Sequence, residues 1–439
     1  MWRRKLVVGL LKEDEAKGER RAPLCPNDVQ WLIKHGIEVE VQSSGMRVFD
    51  DFQYEKSGAR IVDHFRKAKL LVGIKELKID ELLKGKIYMN FSHTIKGQTH
   101  NMPLLKEFLR KKVTLIDYET ITDAFGKRLV YFGRFAGVCG LVDSFYYLGQ
   151  KLKLRDIKTP FLSIKPAHEY ASYNALKADF ENLSRRIKRR GFDKRISPFI
   201  VGITGHGNVS RGVQEILDLL YPDEIHPKDM ADFIRHQKYV RNKIYKRVFL
   251  REEKLRRKQK DGFYFEEYLE HPSRFESNLD LYLPYLNILI HASYWDNKYP
   301  RLVSREMISK LYRKRKFRLE FITDISCDIN GSIEMTYRPS TMENPTYTYD
   351  PKLQEFVDGH AHKGITILAR DNLPTELPKD SAEDFSSLIR NYVYDIAIAG
   401  TRRITNHSGI TREIRGAVIT QGGRLTKQYK YLRKYLKSV

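Results

Sequence analysis

The sequence predicts an α/β protein of two Rossmann-like domains, each a parallel sheet with flanking helices, separated by an active-site cleft. Three observations carry that expectation. Between Leu6 and Ile116, short apolar runs of strand length alternate with helical stretches, the pattern of a parallel sheet with helical crossovers. Between Ser197 and Leu220, an apolar run, a glycine turn and an amphipathic helix follow one another in register. From Gly133 to Lys153 runs a long apolar helix, which would carry the chain from the first domain into the second.

Taken in order, Leu6 to Leu10 reads as the first strand and Pro26 to His35 as a helix, with Val29, Trp31, Leu32 and Ile33 in its buried set. Ile37 to Val41, Ala68 to Ile74, Ile87 to Phe91 and Val113 to Ile116 are the second to fifth strands. Within the long helix, Gly137 and Gly140 mark places where a backbone or ligand could approach closely.

The second domain opens on Phe199-Ile200-Val201-Gly202-Ile203, then the turn Gly205-His206-Gly207-Asn208. Val213, Ile216, Leu217 and Leu220 then recur at helical spacing. A strand, a Gly-x-Gly turn and a helix form the phosphate-cradling start of a dinucleotide-binding unit. The glycines admit the pyrophosphate to the backbone, and the free N–H groups of the helix start receive its charge. The third glycine of the usual fingerprint is absent: Ser210 holds its place and Gly212 comes two residues later. Tyr285 to Ala292, Phe321 to Ile325 and Gly364 to Ala369 continue the sheet, and Asp371 to Pro374 is a turn. The stretch near 228–277 is charged and reads as a helical surface insertion. Ala382 to Ala399 reads as a helix returning to the first domain, and the residues from Leu425 on as a helical tail or the stub of a linker. The domains are thus 1–133 with 376–439, for substrate, and 134–375, for the dinucleotide.

At 439 residues the chain has room for such domains, and no apolar run approaches the roughly 18 residues of a membrane span. Cys25, Cys139 and Cys327 are too scattered for a disulfide framework or a zinc site, so no metal is expected and the cytoplasm is the simple location. The formal charge is +24, with basic runs at Arg185 to Arg190, Arg256 to Lys258, Arg313 to Lys316 and Lys427 to Lys437. They are mixed with acids and lack any nucleic-acid-binding motif, so neither a specific nucleic acid nor a membrane is expected as a partner.

Ligands of α/β sheets bind beyond the carboxyl ends of the strands. Arg21, Lys75, His93, Lys96 and Arg128 all follow strands of the first sheet. Together they describe a cationic pocket suited to a ligand with several carboxylates.

The segments Glu19-Arg20-Arg21-Ala22-Pro23-Leu24, Gly73-Ile74-Lys75, Phe91-Ser92-His93-Thr94-Ile95-Lys96 and Leu115-Ile116-Asp117-Tyr118-Glu119 stand in a known order. Phe132-Gly133-Arg134-Phe135-Ala136-Gly137 and Thr204-Gly205-His206-Gly207-Asn208-Val209-Ser210 extend it, as do Asp324 to Asp328 and Asp371 to Pro374. Nearly end to end, the chain resembles the lysine–ketoglutarate reductase portion of the bifunctional aminoadipate-semialdehyde synthase family. More distantly it is similar to alanine dehydrogenase and the transhydrogenase N-terminal fold. The resemblance implies reductive condensation of L-lysine with 2-oxoglutarate to saccharopine, with Lys75 and His93 as the acid–base pair. It implies that Arg21, Lys96, Gln98, Glu119, Arg128 and Phe132 bind substrate, and that Gly205, Gly207, Asn208, Val209, Asp328 and Asn372 contact the cofactor. A separate saccharopine dehydrogenase subunit is then a natural partner.

The residue that reads the adenosine ribose is expected about 20 residues past the glycine loop, in Tyr221 to Lys228. There His226 and Lys228 favour NADP(H), while Asp223 and Glu224 leave NAD(H) open. Three alternatives stay open: an amino-acid or imine dehydrogenase of the alanine dehydrogenase type, the lysine-forming direction with NAD, and an inactive binding scaffold.

Overall fold

The computed structural model describes residues 5–259, 262–313, 317–400, 404–406 and 409–436. Met1 to Arg4, Lys314 to Lys316 of one basic run and Lys437 of another lie outside the described residues. The chain forms two compact units, Met1–Phe132 with Pro378–Val439, and Gly133–Leu377.

In the first unit the strands are Val8–Leu10 (β1), Val39–Gln42 (β2), Arg60–Val62 (β3), Leu70–Val72 (β4), Ile87–Asn90 (β5) and Thr114–Asp117 (β6). The expected third strand is therefore the fourth. β3 escapes the sequence because it is a three-residue edge with Arg60 exposed and Ile61 and Val62 only half-buried. β4, the run read as Ala68 to Ile74, is wholly buried, as a strand with helices on both faces must be.

The second unit holds Phe199–Thr204 (β7), Asp223–Glu224 (β8), Ile244–Phe249 (β9), Leu255–Arg257 (β10), Phe275–Ser277 (β11), Ile288–His291 (β12), Phe321–Asp324 (β13), Tyr347–Asp350 (β14), Glu355–Asp358 (β15) and Ile365–Leu368 (β16). Its main sheet runs β15-β14-β16-β13-β12-β7-β9-β8. All neighbours from β16 to β8 are parallel, and β14 and β15 form an antiparallel edge. The stretch near 228–277 departs from a helical surface insertion. It contains β9, which pairs with β7 along its full length; its Met230, Tyr245 and Phe249 are buried in one core cluster of this unit and Ile244 in the other. Among the described residues there the α-helices are short, Met230–Arg235, Arg251–Lys254 and Phe265–Glu270.

The chain then returns to the first unit through the helix Pro378–Ala399, whose Phe385, Ile389, Val393 and Ile396 join the core with Val8 and Val41. Two last strands, Val418–Gln421 (β17) and Arg424–Leu425 (β18), extend the first sheet beyond β6, giving β18-β17-β6-β5-β4-β1-β2-β3. The described residues after Leu425 include a 3-10 helix, Lys427–Leu432, and a single α-helical turn, Arg433–Leu436.

The helix Gly133–Lys153 crosses the helix Asn208–Leu217 at glycine contact. A Cβ on Gly137 would lie 2.0 Å from the Val209 carbonyl oxygen, and one on Gly212 would lie 1.9 Å from that of Arg134. Gly212 thus permits close packing of its helix against another helix, not against the strand that the third glycine of the fingerprint serves. Buried Arg370, after β16, is held between Asp143 at 3.3 Å and Glu376, fixing the turn at Asn372 to the long helix. Among the described residues no group of side chains could hold a metal ion, and no helix is long and apolar enough to cross a membrane.

Candidate active site

In the first unit the chemistry gathers where β4, β5 and β6 end. These strands are parallel neighbours, with Val72 opposite Met89 and Asn90 opposite Asp117, so residues just past each end share one edge. Lys75 follows β4 through Gly73 and Ile74. Its backbone N–H donates to Glu13 at 2.9 Å, and that of Ile74 donates to the same carboxylate at 2.6 Å. Asn90 at the end of β5 donates to the Lys75 carbonyl at 3.1 Å. The strand end that presents Lys75 is therefore tied from both sides. Withdrawal from water pushes the Glu13 carboxyl up to about 7, against those backbone hydrogen bonds.

His93 follows β5 with φ +52°, a left-handed conformation uncommon for a side chain of its size. Asn101 fixes it by donating to the His93 carbonyl at 2.9 Å. The imidazole lies between two carboxylates: Nδ1 is 3.5 Å from Glu119 and Nε2 is 3.9 Å from Glu76. The Glu119 contact raises the His93 pKa above its ordinary value and outweighs the opposing effect of burial. Burial would raise Glu119 in turn, but His93 and Arg128, whose Nη2 lies 3.0 Å away, hold it below the usual carboxylate range. Asp117, fully buried at the end of β6, accepts from the Ser92 and Glu119 backbone N–H groups at 3.0 and 2.8 Å and so anchors the turns on which both side chains ride. Replacing Glu119 by Gln removes the larger support for the imidazolium, so the His93 pKa falls; ¹H–¹⁵N titration of the ring nitrogens reads this directly. An unchanged value would mean that the contact carries no weight.

Arg21 lies on the same edge but presents no free fork. It is buried, and its Nε and Nη2 donate to Glu19 at 2.8 and 2.6 Å. Its guanidinium sits 4.1 Å above the Phe132 ring, which stacks in turn on Phe385. Lys96 and Gln98 are exposed on the turn after His93. The edge is thus not simply cationic. Glu19 pairs with Arg21, Glu76 and Glu119 flank His93, and Arg128 also reaches Glu119, while Glu13 holds the backbone under Lys75. Glu13 and Glu76 were not legible: each sits in a charged segment with no spacing to set it apart from surface acids.

In the second unit the carboxyl ends of β7, β12, β13 and β16 bring together Gly205 to Val209, Ser293, Asp328 and Asn372. Gly205 has φ +97°, and a Cβ there would meet the Ala292 carbonyl oxygen at 2.4 Å, so only glycine suits the turn. A Cβ on Gly207 would meet nothing within 4 Å. The helix Asn208–Leu217 starts at that glycine with no side chain capping its first N–H groups. Open space over a glycine and uncapped N–H groups fit the pyrophosphate of a dinucleotide. Asp324 is buried and bonded to Thr336 and Ser326, a structural role. Asp328 lies half-buried in the loop beyond it, and Asn372 is left-handed at φ +62°. His226 and Lys228, by contrast, follow β8, which β9 separates from β7. His226 turns its Nδ1 to the Lys228 backbone N–H at 3.3 Å.

Residues 9–139 match the family model for the alanine dehydrogenase/PNT N-terminal domain, and residues 244–428 match that for the C-terminal domain. The chain is 34% identical to the Bos taurus protein named alpha-aminoadipic semialdehyde synthase, mitochondrial, over 98% of this chain and 48% of that one. It is 26% identical to saccharopine dehydrogenase [NAD(+), L-lysine-forming] of Emericella nidulans, over 86% of this chain and 89% of that one. The chain therefore spans about half the length of the semialdehyde synthases it matches. Among solved structures, an L-alanine dehydrogenase superposes with a TM-score of 0.60 at 16% identity, covering 99% of each chain.

Proposed function

The chain belongs to the alanine dehydrogenase/PNT family, and on that premise we propose that it condenses L-lysine with 2-oxoglutarate and reduces the product to saccharopine with NADPH. The observation that carries this reading is His93 set between Glu119 and Glu76 at the end of β5, with Lys75 at the end of the adjoining strand. The similarity to the semialdehyde synthase and saccharopine dehydrogenase sequences supports the choice of substrates.

Condensation of the lysine ε-amine with the keto carbon needs a proton taken from the amine and one given to the departing hydroxyl. His93, whose charged form Glu119 supports, suits the donor. Lys75, fixed by Glu13 and Asn90, suits the other transfer. Arg128 and Lys96 reach the substrate carboxylates, and Arg21, locked to Glu19 over Phe132, shapes the pocket with its remaining donors. A nicotinamide bound there would supply the hydride that reduces the imine. Gly205, Gly207, Asn208 and Val209 would hold its pyrophosphate, with Asp328 and Asn372 beside it. The free cysteines fit a reducing compartment such as the cytoplasm, and a separate saccharopine dehydrogenase would take the product onward.

The assay is the loss of reduced-cofactor absorbance with lysine and 2-oxoglutarate together and with neither alone. Equal loss with pyruvate and ammonia would move the reading to the alanine dehydrogenase reaction. No turnover with any such pair would leave a binding scaffold.

A further inference from the structure

We infer that Arg251, just beyond β9, is the residue that reads the 2′-phosphate of the cofactor's adenosine, with Lys254 supplying charge beneath the glycine turn. This rests on the pyridine-nucleotide reading above and shifts the choice of cofactor away from His226 and Lys228.

The first ground is topology. In dinucleotide-binding sheets the ribose is read at the end of the strand beside the one that enters the glycine turn. That neighbour is usually the next strand in sequence. Here it is not. β9 pairs with β7 over all six residues, Phe199 opposite Ile244 through Thr204 opposite Phe249, and β8 pairs only with the far side of β9. Strands lie about 4.8 Å apart, so the residues after β8 are displaced from the turn by a full strand more than those after β9. The turn also touches the end of β9 directly: His206 Nε2 lies 3.2 Å from the Phe249 carbonyl oxygen. Leu250 and Arg251 come next.

The second ground is charge. Lys254 is only 7% exposed, yet its ammonium has just the Ser293 hydroxyl, at 3.0 Å, as hydrogen-bond partner and no carboxylate within ion-pairing reach among the described residues. Ser293 follows β12 and adjoins the turn, since a Cβ on Gly205 would lie 3.0 Å from its Oγ. A buried cation without a counter-charge is costly; an anion bound at the turn supplies one. Burial and the neighbouring charge of Arg251 push Lys254 down to about 8, so the two cations stand close enough to act on one anion.

The third ground is availability. Arg251 is exposed, with its guanidinium 4.5 Å over the Phe265 ring and no acid within ion-pairing reach among the described residues. Its planar fork matches a phosphate. Of the two acids that follow, Glu253 is engaged by Arg247 and by the Leu250 N–H. Glu252 is exposed and is the residue that would accept a ribose hydroxyl if NAD were preferred. At the other candidate position, Asp223 is paired to Lys243 at 2.6 Å, and His226 caps its own turn.

The test is calorimetric binding of NADPH and NADH, without substrates, to the full chain, to Arg251→Ala, to Lys254→Met and to the double variant His226→Ala/Lys228→Ala. Loss of a charge-assisted bidentate contact predicts that Arg251→Ala weakens NADPH by about 10- to 100-fold and leaves NADH within about twofold. Lys254→Met is expected to weaken both nucleotides and to raise the melting temperature of the free protein, because a buried unpaired charge is gone. The double variant should bind both as the unaltered chain does. Equal loss of both nucleotides in Arg251→Ala, or selective loss of NADPH in the double variant, would overturn the inference. So would an unaltered chain that binds NADH but not NADPH, with the oxidoreductase reading left standing. Binding of neither nucleotide would overturn both.

Discussion

Replacing His93 by Met lowers kcat/KM for the lysine- and 2-oxoglutarate-dependent oxidation of NADPH by about 10²- to 10⁴-fold, the range for removal of a general acid or base. Lys75→Met is expected to do the same. The double variant should fall little further, because groups that act as a unit in one condensation are not additive. Both side chains leave nucleotide binding alone, since the glycine turn belongs to the other unit, so calorimetric NADPH affinity should stay within about twofold. Undiminished turnover in the double variant would remove the acid–base assignment and with it the proposed reaction. The pH profile gives a second handle. His93 has a raised pKa because Glu119 favours its charged form, so a step that needs protonated His93 stays fast to higher pH and declines as pH rises through that value. In Glu119→Gln the decline moves to lower pH. The same shift contributes to stability in a definite sense: it is fully present below the unfolded histidine value of about 6.5 and is lost as pH rises through the folded one. A Glu119→Gln variant whose rate falls equally at every pH would show that Glu119 acts on the substrate and not through His93.

What the sequence disclosed follows from what each element buries. β4, β5 and β7 are covered on both faces and read as unbroken apolar runs. β9 did not, although it pairs with β7 along its full length. Its Lys246 and Arg247 break the apolar pattern, and only the fold shows why a strand tolerates them: the Lys246 ammonium reaches Asp218 at 2.7 Å and Glu224 at 3.7 Å, while Arg247 is engaged by Glu253. Long side chains bury their stems and keep their charges paired, so a core strand looks like a solvated helix face. A rule based on spacing along the chain assumes that the next strand is the neighbouring one; here β9 stands between β7 and β8, and on the inference drawn above that moves the ribose reader from His226 and Lys228 to Arg251. The candidate edge was legible in its cations, which follow recognisable strands. Its acids were not, because Glu13 and Glu76 gain meaning only from the hydrogen bonds and histidine that the sheet brings to them.

Three glycines around the nucleotide turn look alike in sequence and should respond in opposite ways to one added methyl group. At Gly137 and Gly212 the Cβ meets a backbone carbonyl of the facing helix at 2.0 and 1.9 Å, distances no side chain can relieve. The two helices must separate, and the net loss is about 3 kcal/mol, at the upper end for overpacking and after the gain in helix propensity from alanine. For a unit of this size that lowers the melting temperature by about 6–12 °C. The shift also moves Val209, so nucleotide affinity falls with stability. At Gly207 the Cβ meets nothing, and the backbone angle of −84° is ordinary for any residue. Gly207→Ala should melt within about 1–2 °C of the unaltered chain, since a surface substitution without a lost contact stays within about 0.5 kcal/mol. Its nucleotide affinity should still fall by about tenfold or more, because the methyl group stands where the pyrophosphate must approach the backbone. Differential scanning calorimetry with and without NADPH separates the cases: Gly137→Ala and Gly212→Ala lose stability in both conditions, Gly207→Ala only the increment that the nucleotide adds. If Gly207→Ala kept the full increment, the open space over that glycine would not be the phosphate site, and the turn would be a helix start of ordinary kind.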